Sequence, residues 1–166
     1  APHVYVDFAH TPQAIASALS AFGHPGFKDR RVIAVFGAGG DRDPDKRPLM
    51  GQAGVAGADL VVVTDDNPRS EDPAAIRAQI LAGARAAVAA AVPGSHESQV
   101  EILDGGDRAS AIEQALRLAH RDDVVVILGK GHEHTQQLAD RTIDFDDLLV
   151  AHDRWQQINQ TPGAPS

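Results

Sequence analysis

Apolar residues gather in five short runs rich in β-branched side chains, at 4–6, 32–36, 60–63, 100–103 and 124–128. Several are continuous rather than alternating, the pattern of strands covered on both faces. The segments between them carry helical signals with readable starts. Thr11-Pro12 places a hydroxyl cap and a first-turn proline before residues 13–22. Asp72-Pro73 does the same for an alanine-rich helix to about residue 91, closed by Val92-Pro93-Gly94. Asp107 caps a helix over 108–119, and residues 47–58 are helical, with Gly51, Gly54 and Gly57 allowing close approach to the sheet. Residues 141–145 form a short sixth strand, followed by a helix over 146–158 containing the only tryptophan, Trp155. Strand and helix alternate, which predicts an α/β, Rossmann-like, parallel-rich sheet of about six strands flanked by helices. This domain takes up residues 1–158, and 159–166 is a frayed tail.

Composition narrows this picture. The 166 residues suit one domain, and with 28 alanines and only 4% aromatics the core is built from Val, Ile, Leu and Ala. The formal charge of −8 argues against nucleic acid as a partner, because phosphate neutralisation needs a basic stripe. No apolar run approaches the roughly 20 residues that span a bilayer, so no membrane partner is expected. With no cysteine and no signal peptide at Ala1-Pro2-His3-Val4, the expected location is the cytoplasm.

In an open parallel sheet, ligands bind beyond the carboxyl ends of the strands. The loops there hold ionisable or glycine residues, chief among them four: Asp7 to Pro12, Gly37 to Asp43, Thr64 to Arg69 and Gly129 to His134. The loop Asp104-Gly105-Gly106-Asp107 is plainer, a turn and a cap. The glycine loop fails the dinucleotide fingerprint, because Arg42 stands where G-x-G-x-x-G needs glycine. It serves either as a tight turn or as an anion-binding concavity, and the adjoining arginine favours the second. There is no phosphate loop: Gly131 follows Lys130, and Val124 stands five positions before Gly129.

Asp66-Asn67-Pro68-Arg69 reads either as an Asx-turn or as a turn that presents Arg69 beside Asp66. Arg42 and Arg69 against Asp66 and Glu133 would suit a ligand with both charges at more than one position. His132-Glu133-His134 lacks the helical zinc spacing, because Gln136 occupies the second histidine position. His3, His24, His96, His120 and His152 fall on expected surfaces, whereas His10 sits at the first strand's end. A rival reading takes Asp7, Asp65 and Lys130 as a receiver-like, magnesium-dependent phosphotransfer site.

Laid side by side, these loops resemble the C-terminal domain of the Mur ligases, from about Val4 to Trp155. The motifs are Val6-Asp7-Phe8-Ala9-His10-Thr11-Pro12, Phe36-Gly37-Ala38-Gly39-Gly40-Asp41-Arg42-Asp43, Lys46-Arg47-Pro48-Leu49-Met50, Asp66-Asn67-Pro68-Arg69 and Gly129-Lys130-Gly131-His132-Glu133. Phe8 replaces the family's usual tyrosine and Gln13 its aspartate. Asp-Asn-Pro-Arg is the signature of members that add meso-diaminopimelate to UDP-N-acetylmuramoyl-L-alanyl-D-glutamate in peptidoglycan synthesis. The resemblance implies that Arg42, Asp66, Asn67, Pro68, Arg69, Gly129 and Glu133 meet the diaminopimelate. It also implies that Asp7 and His10 lie near the nucleotide. The family reaction forms an amide through an acyl phosphate and uses ATP and Mg2+. The family's N-terminal UDP-sugar domain and central ATPase domain are not in this sequence. The expectation is therefore a module without catalytic residues or a metal of its own, inactive as a ligase alone.

Overall fold

The computed structural model describes residues 1–23 and 29–160. His24, expected on a surface, and residues 161–166 of the expected tail lie outside the described residues. The strands are β1 (His3–Asp7), β2 (Val32–Phe36), β3 (Leu60–Thr64), β4 (Glu101–Gly106) and β5 (Val124–Leu128). They pair in the order β1-β5-β2-β3-β4, and every pairing is parallel. Helices α1 (Pro12–Ser20), α2 (Lys46–Gly57), α3 (Pro73–Ala90) and α4 (Arg108–Leu118) form the crossovers. A last helix, α5, covers Asp147–Gln160.

Alternation along the central strands divides the core into two layers. Ala34, Phe36, Val61, Val63, Val126 and Leu128 face α1, α2 and α3, packing with Ile15, Leu19, Met50, Val55, Ile76 and Ile80. Ile33, Val35, Val62, Val125 and Ile127 face α4 and α5, packing with Ile112, Leu116, Ala151 and Ile158. Strands β2, β3 and β5 are buried throughout, which explains their unbroken apolar runs. Thr11, Asp72 and Asp107 cap their helices, accepting from the amides of Ala14, Ala74 and Ser110.

The expected six-stranded sheet is a five-stranded one. Strand β7 (Thr142–Asp144) lies within the expected 141–145, but it pairs antiparallel with β6 (Thr135–Gln137) in a separate ribbon. Asp104, Gly105 and Gly106, expected in a turn, belong to β4, whose register with β3 shifts at Val63/Thr64. Helix α5 runs on through Asn159 and Gln160, so the expected tail does not begin at 159. Of the three α2 glycines, only Gly54 meets the sheet. A Cβ on it would lie 2.8 Å from the Phe36 ring, whereas one on Gly51 would lie 2.3 Å from the Ile80 carbonyl of α3. Among the described residues, no helix is long and apolar enough to cross a membrane.

Candidate functional site

Strand order determines which loops meet. Strands β1, β5, β2 and β3 are successive neighbours, so the loops at their carboxyl ends form one rim. Strand β4, with the plain loop, stands beyond them at the edge. The rim encloses a cleft of about 460 Å³ lined by His10, Arg42, Asp66, Asn67, Arg69, Gly129 and Glu133. Phe8, Lys46, Arg47 and Met50 also line it. Two expected residues do not. Pro68 is buried behind the rim, and the Asp7 carboxylate accepts from the Ala9 amide at 2.8 Å.

The loop after β3 is held from below by Lys130, whose side chain is fully buried. Its Nζ donates to Asn67 Oδ1 at 2.9 Å and to the Thr135 carbonyl at 2.8 Å, with Asp66 Oδ1 at 3.5 Å. Burial pushes its pKa below the usual lysine range, opposed chiefly by the Asp66 charge. Strand β6 holds the same loop from the side. Gln136 Nε2 donates to the Asp66 carbonyl at 2.6 Å, and the Gln137 amide donates to Asn67 Oδ1 at 3.0 Å. Asn67 Oδ1 is therefore occupied by the protein itself. Arg69 adopts φ +50, with its amide bonded to the Gln137 carbonyl at 3.1 Å. A Cβ on Gly129, at φ +117, would lie 2.8 Å from Asp66 Oδ2, so glycine lets the β5 loop pass against the carboxylate.

The glycine loop after β2 is fastened to the same turn. Gly40 donates to the Asn67 carbonyl at 2.8 Å, and a Cβ there would lie 1.8 Å from the Pro68 carbonyl oxygen. Arg69 NH1 donates to the Gly40 carbonyl at 2.9 Å. Arg47, only 2% exposed, reaches Glu71 Oε2 at 2.6 Å, Gln79 Oε1 at 2.8 Å and the Gly39 carbonyl at 3.1 Å. Its Nε is buried without a partner among the described residues. Asp41 accepts from the Ser70 hydroxyl, which holds its carboxyl below the usual range. Hydrogen bonds from Arg47 do the same for Glu71. Arg42 is exposed and, among the described residues, bonds only to the Asp41 carbonyl, at 2.9 Å.

Beneath the rim, Arg108 and Asp147 form a fully buried, two-bonded pair, each N···O distance being 2.7 Å. Arg108 also donates to the carbonyls of Asp65 and Leu128, joining the ends of β3 and β5. Burial opposes its charge, but Asp147 outweighs burial, and the guanidinium pKa is raised. Arg77 bridges Asp65 and Asp104 at 2.6 and 2.8 Å, and desolvation pushes the Asp65 carboxyl up. Asp7, Asp65 and Lys130 thus bond to separate partners rather than to one another. Among the described residues, no three His, Asp or Glu side chains form a group able to hold a metal. His10 Nδ1 lies 3.0 Å from the Phe8 carbonyl. A carbonyl only accepts, so Nδ1 carries the proton and Nε2 is left as the free nitrogen. His3, His96, His120 and His152 are exposed.

Sequence reasoning missed Arg47, Arg108, Gln136 and Gln137 as parts of the site's support. The buried arginines carry no signal that separates them from surface arginines. The glutamines sit in a polar triplet with no strand pattern.

Loops bearing side chains of both charges, meeting at the carboxyl ends of a doubly covered parallel sheet, define an α/β module suited to small, charged ligands. Residues 1–131 match the family model described as Mur ligase, glutamate ligase domain, and the chain belongs to that family. It is 47% identical over 150 residues to the UDP-N-acetylmuramoyl-L-alanyl-D-glutamate--2,6-diaminopimelate ligase of Solibacter usitatus, covering 90% of this chain and 28% of the relative. Its identity to the ligase of the same name from Caulobacter vibrioides is 50% over 145 residues, covering 87% and 26%. A solved structure of a ligase of that name matches with a TM-score of 0.80 at 37% identity, over 95% of this chain and 30% of its own length. The chain thus spans less than a third of the length of these relatives.

Proposed function

We propose that this chain is the amino-acid-selecting module of a longer ligase that joins meso-diaminopimelate to UDP-N-acetylmuramoyl-L-alanyl-D-glutamate. One observation carries the reading: Arg42 and Arg69 share a single cleft with Asp66 and Glu133. Diaminopimelate has two carboxylates and two ammonium groups, and that cleft offers cations and anions for both. Arg69 would receive the distal carboxylate, with Arg42 beside it. Asp66 and Glu133 would accept from an ammonium group. The names of the relatives support the same substrate.

The reaction class is ATP-dependent amide formation. ATP and Mg2+ would act in the longer protein, as the resemblance to the Mur ligases implies. The share of this chain is orientation. Holding the nucleophilic amine at near-attack distance replaces a bimolecular encounter, which can be worth several kcal/mol. His10 would stand toward the nucleotide, with Nε2 as its free nitrogen. Asp7, its carboxylate tied to Ala9, would act there only by shaping the loop.

Lysine lacks the distal carboxylate, so it would leave Arg69 unpaired in the cleft. In the full-length ligase, diaminopimelate is expected to be used at least about a hundredfold better than lysine. Arg69→Ala is expected to remove most of that preference by raising the KM for diaminopimelate. Equal use of both amino acids by the unaltered enzyme would refute the substrate assignment.

A further inference from the structure

Strand β6 takes no part in the main sheet, yet all three of its residues bond to the cleft loops. Gln137 is the most informative of them. Its backbone donates to Asn67 and accepts from Arg69, so its backbone position does not depend on its side chain. That side chain is exposed and contributes nothing to the core. Its Oε1 nevertheless accepts from Arg69 Nε at 3.0 Å. Arginine has only donors, so the amide must turn its oxygen to this contact. The Gly40 carbonyl accepts from NH1 at 2.9 Å. Two acceptors at different positions on one planar guanidinium fix both its direction and its roll. Among the described residues, NH2 has no partner, and Arg69 lines the cleft.

We propose that Gln137 is a specificity-determining positioning residue that, together with the Gly40 carbonyl, turns the unpaired end of the Arg69 guanidinium toward the distal carboxylate of the amino acid. This rests on the amino-acid-selecting reading of the cleft. A neutral acceptor suits the task. It holds Nε without cancelling the charge that the ligand must meet. A carboxylate in its place would hold Nε too, but it would satisfy Arg69 and repel the ligand's own carboxylate.

The test is steady-state kinetics of the full-length ligase with diaminopimelate and with lysine, for Gln137→Met, Gln137→Glu and Arg69→Ala. Gln137→Met keeps the length and removes the acceptor. It is expected to raise the KM for diaminopimelate about fivefold with kcat within about twofold, the size of one ordinary, solvent-exposed hydrogen bond. Gln137→Glu is expected to raise that KM about tenfold or more and to narrow the preference over lysine, because Arg69 is then neutralised internally. A merely structural role would lower the melting temperature and leave the preference unmoved, and that result overturns the proposal. Unchanged KM values in both Gln137 variants, with Arg69→Ala impaired, would also overturn it while leaving the cleft reading intact. An unchanged KM in Arg69→Ala would overturn both.

Discussion

Lys130 illustrates how a charged side chain can serve a site without being open to it. It has no solvent exposure, and the groups it grips are the Asn67 amide oxygen, the Thr135 carbonyl and, at longer range, Asp66. Removing its ammonium takes one of two donors from the Asn67 amide oxygen, leaves the Thr135 carbonyl without this donor and deprives Asp66 of its nearest cation. Lys130→Met, which keeps the volume, is expected to destabilise the chain by about 3 kcal/mol. The measurement is the urea midpoint of unfolding, and a midpoint at the wild-type value would show that Lys130 holds nothing. Lys130 stood out in the sequence as an isolated cation between glycines. Its burial did not, because nothing in Gly129-Lys130-Gly131 says that Thr135–Gln137 will close over it.

At the scale of elements, the glycine loop and the turn after β3 behave as one unit joined by side chains. Asp41 receives Ser70, and Glu71 receives both Arg47 and the Asp41 amide, the last at 2.7 Å. Both carboxyls titrate below their ordinary values of 3.8 and 4.5. A carboxyl depressed in the folded state stabilises it above the ordinary pKa, and that stabilisation is lost as pH falls through the depressed value. Acid should therefore loosen this junction. The hydrogen-exchange protection factors of the Asp41 and Ser70 amides are expected to fall below about pH 4 while Ile15 in α1 stays protected. Equal loss of protection at all three sites would show that the junction has no separate stability.

The elements that could be read from the sequence are those whose physics is local. Continuous Val and Ile runs marked β2, β3 and β5, and Thr11, Asp72 and Asp107 marked helix starts, because burial and capping leave residue-level signatures. Strand β6 left none. Thr-Gln-Gln has neither alternation nor a turn signal, and it is held by bonds to residues some 70 positions away in sequence, as from Gln136 to Asp66. For the same reason β7 was legible as a strand but not as the partner of β6. Of the cleft, the charged and glycine residues were legible because the strand-end rule places them at one rim. The hydrogen bonds that aim Arg69 were not.

At the scale of the whole molecule, α5 is held against the rest by the packing of Ala151 and Ile158 and by one buried ion pair. Arg108 and Asp147 are both fully buried, and Arg108 ties the ends of β3 and β5 immediately below the cleft. Asp147→Ala leaves a buried guanidinium uncompensated and is expected to cost about 3–5 kcal/mol, read from urea unfolding. Replacing both residues with apolar ones of similar size is expected to restore much of that stability. A double variant no more stable than Asp147→Ala would show that the site needs the charges themselves.

The account depends most on where the far end of the amino acid sits. A crystal structure of the full-length ligase with bound meso-diaminopimelate locates that end directly. The distal carboxylate is predicted within hydrogen-bond distance of the Arg69 guanidinium, in the cleft between the loops after β2, β3 and β5. A distal carboxylate bound elsewhere, with Arg69 facing solvent, would contradict it.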